Sequence, residues 1–152
     1  MEGGLTIDRM VRIHGTCVAI GDTGVLLRGI SGSGKSDLAL RLIDEGAALV
    51  ADDHVEVTLE GPGLLARAPA TIAGMIEVRG LGLFRLPYRD APLAILFDMT
   101  PGQAVERLPD PDAETILGVT IPRHSINPWE GSAAAKVRLA VAAAKGSVGL
   151  LS

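Results

Sequence analysis

The chain has 152 residues, 47% of them hydrophobic, and a formal net charge of −4. This size and composition predict one globular domain over residues 1–152 and exclude a disordered protein. The sequence has no basic run that could neutralise a phosphate backbone and no apolar stretch long enough to cross a bilayer, so we expect neither a nucleic-acid nor a membrane partner.

Two features of the N-terminal part bear on the cellular compartment. Residues 1–10 contain acidic side chains and no apolar core, so we expect a loosely held leader rather than a signal peptide. Cys17 is the single cysteine, which excludes an internal disulfide and predicts a cytoplasmic protein. Because Cys17 stands in an apolar run, we expect a buried small hydrophobe; a reactive thiol is the alternative.

The N-terminal half alternates extended segments with one helix. In chain order the patterns predict a strand over 11–20, interrupted at His14 and Gly15, and a returning strand over 25–28. A helix over 35–45 follows and is ended by Gly46. Next come a strand over 47–51 buried on both faces and a hairpin whose strands 55–59 and 64–68 flank the turn 61–63.

The C-terminal half contains the second helix. The patterns predict an extended glycine-rich segment over 75–83, a buried strand over 93–97 closed by Asp98, a proline-rich surface connection over 101–111, a strand over 117–121, and a helix over 132–144 ended by Gly146. Strict alternation of strand and helix would favour a parallel sheet, whereas hairpins with only two substantial helices predict an α/β fold with a mixed sheet.

The octapeptide 29–36 matches the phosphate-loop pattern G-x-x-x-x-G-K-[ST] in full, and it lies between a predicted strand and a predicted helix, as the pattern requires. Backbone N–H groups of such a loop converge on phosphate oxygens, and the helix dipole adds to the attraction. The residues expected to hold a nucleoside triphosphate are Gly29, Ile30, Ser31, Gly32, Ser33, Gly34, Lys35 and Ser36. Lys35 would reach the outer phosphates and Ser36 would bind Mg²⁺; the alternative is a glycine-rich turn with a solvated Lys35.

A carboxylate is needed near the metal, and two positions offer one at the end of a buried strand. Asp52 and Asp53 follow the strand 47–51, and Asp98 follows the strand 93–97. Two adjacent negative charges repel each other unless a cation is near. The pair is therefore a better candidate than Asp98 for the carboxylate beside the metal. Neighbouring side chains of an extended segment point to opposite sides, so one carboxylate could face Mg²⁺ and the other an incoming hydroxyl. A solvated turn is the alternative.

Several other polar residues have an ordinary structural explanation when each is considered alone. Glu77 in an apolar strand could simply face outward. His14 could be a structural histidine, and the lone Trp129 could be either an interaction surface or a core residue. Arg79, Arg107 and Arg123 could clamp a transferred phosphate or lie on the surface. His54 and His124 have no metal-ligand spacing with a cysteine or another histidine.

Taken together, four segments resemble the HPr kinase/phosphorylase family in order and spacing: 14–15, 29–36, 49–53 and 77–82. The resemblance covers roughly 11–144 and implies a nucleotide core like that of phosphoenolpyruvate carboxykinase. It also implies a role for each matching residue. Lys35 would contact the transferred phosphoryl group, Ser36 and Glu77 would bind Mg²⁺, and Asp52 would lie near that metal. Asp53 would be the general base, His14 would lie near the phosphates and the acidic pair, and Arg107 would be the family's catalytic arginine. The roles of Asp52 and Asp53 could be exchanged.

The activity implied by this resemblance is that of an ATP- and Mg²⁺-dependent protein-serine kinase. Its substrate would be HPr, the phosphocarrier of the phosphotransferase system, or a homologous carrier, and the enzyme would be a homo-oligomer, a hexamer by family resemblance. The family's usual chain has a further N-terminal domain, so the resemblance is to the C-terminal catalytic half. A small-molecule kinase and a non-catalytic ATP-sensing module are the alternatives.

Two positions depart from the family pattern. Ile30 replaces an acidic residue that is often found inside the loop. The family's P-x-R-P-G-R-N segment is replaced after Ile126 by residues 127–131, which contain Glu130 and no basic residue. Because that segment is tied to dephosphorylation in the family, we expect weak or absent phosphorylase activity.

Overall fold

The computed structural model describes residues 9–151. The leader predicted for 1–10 therefore lies outside the described residues except at its end, where Met10 already belongs to the first strand. In the described part of the chain, neither helix combines the length and the hydrophobicity that crossing a membrane would need.

Residues 9–151 form ten strands, two α-helices and two short 3₁₀ helices, Ala70–Ile72 and Gly102–Ala104. The strands are β1 (Met10–Ile20), β2 (Thr23–Arg28), β3 (Ala48–Ala51), β4 (His54–Glu60), β5 (Gly63–Arg67), β6 (Met75–Val78), β7 (Gly82–Arg85), β8 (Ala91–Met99), β9 (Asp112–Ile116) and β10 (Val119–Ile126), and the helices are α1 (Lys35–Asp44) and α2 (Ala133–Ala144). The two predicted helices and the strands of the N-terminal half are confirmed to within a few residues.

Eight of these strands form one mixed sheet, as the sequence predicts. The long strand β1 pairs antiparallel with β2, β3 and β4, and β5 links β4 to β8. Strand β8 also pairs in parallel with β2 and β10. Parallel strands end at the same edge, so the segments that follow β2, β8 and β10 leave the sheet side by side. Strands β6 and β7 form a separate hairpin.

The core lies on both faces of this sheet. One cluster, which includes Cys17, Leu26 and Leu96, is built from strand residues, and a second cluster lies between the sheet and the two helices. Cys17 is buried as predicted, and burial raises the pKa of its thiol to about 12. Leu, Val, Ile and Ala supply most of this core because aromatic residues are only 3% of the chain.

Three strand predictions are wrong in part, one in an expected interruption and two in where a strand begins or ends. Strand β1 runs without a break through Gly15, where a Cβ would lie 2.8 Å from the carbonyl oxygen of Leu27, so this glycine permits a close approach of two strands. Strand β8 continues through Asp98 to Met99. The strand predicted over 117–121 begins later, since 117–118 form the turn between β9 and β10.

The glycine-rich segment 75–83 also differs from its prediction. It forms the hairpin of β6 and β7 rather than one extended run, and residues 79–81 make the turn. The physical reason is local, because Gly80 adopts a left-handed backbone conformation (φ 91°) that reverses the chain.

Candidate nucleotide site

The phosphate-loop motif connects the end of β2 to the start of α1. Gly34 precedes the helix with a φ of 102°, and a Cβ there would lie 2.7 Å from Cγ of Pro128, so only glycine fits. The buried hydroxyl of Ser33 has no hydrogen-bond partner among the described residues. The loop therefore keeps an unused polar group next to the positive end of a helix, an arrangement suited to an anion.

Lys35 is buried beneath the loop. Its ammonium group donates hydrogen bonds to the carbonyl oxygens of Gly29 at 2.6 Å and Ile30 at 2.9 Å. Burial lowers the pKa of Lys35, and the negative charges of Asp52 and Asp53 oppose that effect. The loop thus carries a buried cation whose charged form is favoured by the nearby acidic pair.

Asp52 joins the loop to the central strand β1. Its Oδ1 accepts hydrogen bonds from the hydroxyl groups of Ser36 and Thr16, each at 2.8 Å. Both Asp52 and Thr16 are buried, so this carboxylate is fixed beside the first turn of α1. Sequence analysis missed Thr16, although a hydroxyl in the apolar part of β1 was a usable signal.

These oxygen atoms fit Mg²⁺, which prefers carboxylate, hydroxyl and phosphate oxygens and retains several waters. Among residues 9–151, no three His, Cys, Asp or Glu side chains cluster closely enough to hold a metal by themselves. A bound Mg²⁺ would therefore need phosphate oxygens and water in addition to the side chains that this cleft offers, which include Ser36, Asp52 and Glu77.

Asp53 is arranged differently from its neighbour. Its φ of 74° is left-handed, and its side chain is 66% exposed. One carboxylate oxygen lies 3.3 Å from Nε2 of His14 and the other lies 3.6 Å from Nε2 of His54. His54 was not selected from the sequence, because it approaches His14 only through the pairing of β4 with β1.

A cleft of about 610 Å³ connects these groups. The loop and the acidic pair form one wall, and the β6–β7 hairpin contributes Glu77 and Arg79 to the other. Four apolar residues that the sequence analysis did not select also line the cleft: Leu40, Ile72, Met75 and Leu83. Trp129 is on the surface of this cleft and is not a core residue.

Two other residues that the sequence analysis considered, Asp98 and Arg107, do not line the cleft. Asp98 bonds to the guanidinium groups of Arg28 and Arg123, at 2.8 Å in each case, so its charge is already compensated. Arg107 lies in the exposed connection between β8 and β9 and does not line the cleft. Its catalytic role stays a prediction.

Fold and site together define a mixed α/β domain that presents a phosphate-loop motif, a buried lysine and an acidic pair in one cleft. Residues 6–87 match the family model described as HPr Serine kinase C-terminal domain. The chain belongs to this family.

Curated relatives share the family name. The chain is similar to HPr kinase/phosphorylase of Limosilactobacillus reuteri strain DSM 20016 (36% identical over 127 residues, 75% of this chain and 40% of the relative). It is also similar to HPr kinase/phosphorylase of Azoarcus sp. strain BH72 (39% over 130 residues, 76% and 42%) and of Clostridium acetobutylicum (46% over 76 residues, 50% and 25%). The chain thus spans less than half the length of these relatives.

The fold matches a solved structure, that of the Hpr(Ser) kinase/phosphatase from Coxiella burnetii. The TM-score is 0.80 at 22% sequence identity, and the match covers 90% of this chain and 97% of the other. This similarity confirms the predicted fold class, a mixed α/β domain in which most strand pairs are antiparallel.

Proposed function

We propose that this chain is an ATP-dependent protein-serine kinase whose substrate is the phosphocarrier HPr or a homologous carrier. The observation that carries the proposal is the division of the acidic pair: Asp52 is bonded to Ser36 of the phosphate loop, and Asp53 faces the cleft. One carboxylate is thereby available to the metal side of the loop and the other to an incoming hydroxyl.

The loop and its neighbours would bind and orient ATP. Ser36, Asp52 and Glu77 are the residues that would hold Mg²⁺, which when bound neutralises phosphate charge. Lys35 would exchange its two carbonyl contacts for oxygens of the terminal phosphate. Because phosphoryl transfer needs positioning and charge compensation more than covalent chemistry, these groups supply most of what the reaction requires.

Asp53 would accept the proton of the substrate serine. As the serine Oγ forms its bond to the γ-phosphorus, the bond from that phosphorus to the β,γ-bridging oxygen breaks, ADP leaves, and the serine proton passes to the carboxylate. His14 lies 3.3 Å from that carboxylate and would hold it in position.

The reverse reaction should be weak in this chain. Attack of inorganic phosphate on phosphoserine brings two anions together, and positive charge must offset their repulsion. Residues 127–131 instead contribute Glu130, which forms an ion pair with Lys136 at 2.7 Å. We expect little pyrophosphate when phosphorylated carrier is mixed with excess inorganic phosphate; release as fast as the forward reaction would contradict this.

The deciding experiment supplies the protein with labelled ATP, Mg²⁺ and purified HPr, and maps the modified residue by mass spectrometry. We expect phosphoserine on the carrier, its loss in Lys35→Ala, and normal transfer in Lys145→Ala, a matched change at an exposed lysine paired with Asp22. Transfer to a metabolite without any carrier would support a small-molecule kinase. Mg²⁺-dependent ATP binding with no phosphorylated product would support an ATP-sensing module.

Two further proposals concern the assembly and its location. The resemblance supports a homo-oligomer, which sedimentation analysis would measure, and the single buried cysteine is consistent with a cytoplasmic protein. A monomer at micromolar concentration would contradict the first, and export of the tagged protein would contradict the second.

A further inference from the structure

Trp129 is a feature of the cleft that phosphoryl transfer does not explain. It is the only tryptophan of the chain, and its side chain is 64% exposed. Among the described residues that line the cleft it is the only Phe, Tyr or Trp side chain, and it shares the cleft with Ser31 and Gly32 of the phosphate loop. A large ring left open to a ligand cleft is a binding feature more often than a packing feature.

The segment that carries this ring is fixed in place. The backbone N–H of Trp129 donates to the side-chain oxygen of Asn127 at 3.1 Å. Arg41 of helix α1 donates to the backbone carbonyls of Pro128 and Glu130 on either side. The backbone that carries the indole is therefore fixed, so the segment has less conformational freedom to lose when a ligand binds.

The ring also touches the phosphate loop. A Cβ on Gly34 would lie 3.2 Å from Cζ2 of Trp129, so one edge of the indole rests against the residue that precedes Lys35. Topology explains this contact, because the segments after β2, β8 and β10 leave the same sheet edge. The acidic pair follows β3, which lies beyond β1 on one side of β2. Trp129 follows β10, which lies beyond β8 on the other side of β2.

We infer that Trp129 is a stacking platform for the base of the nucleotide whose phosphates occupy the loop. This inference rests on the proposed nucleotide binding and deepens it. A nucleotide with its terminal phosphate toward Asp53 extends its nucleoside away from the acidic pair, toward the β10 side. Bases stack on aromatic rings in a sequence-tolerant way, and a purine offers the larger π-face. A docking surface for the protein substrate is the competing explanation.

The first test uses the tryptophan fluorescence of the intact chain, selected over that of Tyr88 by the excitation wavelength, so that it reports on Trp129 alone. With Mg²⁺ present, ATP should quench the emission, whereas inorganic tripolyphosphate, which has the phosphates and no base, should leave it nearly unchanged. Equal changes in emission with both ligands would overturn the inference, since the fluorescence would then report only the binding of phosphates to the loop.

The second test compares affinities by calorimetry, with folding checked by circular dichroism. Trp129→Leu should weaken ATP binding about 5- to 100-fold and leave tripolyphosphate binding unchanged, and Trp129→Phe should retain much of the affinity. Phe84→Leu, a matched change at an exposed ring outside the cleft, should alter neither.

The outcomes separate this inference from the proposed function. Unchanged ATP affinity in Trp129→Leu with lost HPr binding would assign the ring to carrier docking and overturn the inference. A wild-type chain that binds neither ATP nor tripolyphosphate would overturn the proposed function and the inference with it. Base-dependent ATP binding without phosphoserine formation would overturn only the kinase assignment.

Discussion

Replacing Asp53 with asparagine tests whether the exposed carboxylate of the acidic pair is the proton acceptor. The change keeps the shape of the side chain and removes its charge. Backbone geometry favours this variant over alanine, because Asp53 has a φ of 74° and asparagine tolerates the left-handed region well. Asp53→Ala would add backbone strain of about 1 kcal/mol and confuse the result.

The structure predicts a large kinetic effect and a small effect on stability. The carboxylate is 66% exposed, and its contacts with His14 at 3.3 Å and His54 at 3.6 Å are of the surface type, each contributing about 1 kcal/mol or less. Loss of a general base lowers the rate about 10²- to 10⁴-fold, which corresponds to about 3 to 5 kcal/mol in the activation free energy.

The assay has three readouts: the initial rate of phosphoserine formation on HPr, the urea midpoint of unfolding, and the calorimetric affinity for Mg²⁺-ATP. In Asp53→Asn the rate should fall by the large factor given above, the urea midpoint should shift only slightly, and the affinity for Mg²⁺-ATP should stay the same. Asp110→Asn, a matched change in the exposed connection, should alter none of the three. An unchanged rate would refute the assignment of the base, and an equal loss of nucleotide affinity would show that Asp53 serves the metal instead.

Three further predictions follow from named contacts. Asp52→Asn should weaken the Mg²⁺-dependent part of ATP binding, measured with and without a chelator; equal weakening in Asp53→Asn would contradict the division of roles. Arg28→Met removes hydrogen bonds to Asp98 and Glu114 and should lower the free energy of unfolding by about 1 to 3 kcal/mol in urea titrations. Hydrogen bonding by Arg28 holds the pKa of Glu114 below its usual range, so ionised Glu114 stabilises the folded state above about pH 4.3. This contribution to the free energy of unfolding is lost as the pH falls through the lower pKa of the folded state, and it should be smaller in Arg28→Met. Cys17, whose pKa is raised to about 12 by burial, should react with a thiol reagent at pH 8 only after unfolding; rapid labelling of the folded chain would refute this.

Much of the fold could be predicted because its signals are local. The apolar run 47–51, the turn glycines at 61–63 and the end of α1 near Gly46 each reflect what a short stretch of backbone prefers. The predictions are wrong where tertiary contacts outweigh the local preference of a residue. The sequence pattern predicts that Asp98 ends a strand, yet Asp98 lies within β8 because two arginines from neighbouring strands compensate its charge.

The candidate site shows the same limit. Thr16 contacts Asp52 across the pairing of β1 with β3, and His54 approaches His14 across the pairing of β1 with β4. These partners are 36 and 40 positions apart in the sequence, so no window of a few residues contains both. Their approach depends on strand register, which long-range packing sets.

The sequence by itself determined that this chain has a phosphate-loop motif between a strand and a helix, with an acidic pair at the end of a buried strand. Those features are stretches of adjacent residues whose backbone and charge requirements are satisfied locally. Only the tertiary structure decided that Asp52 turns inward to Ser36, that Asp53 faces the cleft, and that Trp129 lies against Gly34. Such contacts require three parallel strands and a helix to be assembled first, because the side chains involved come from segments far apart in the chain.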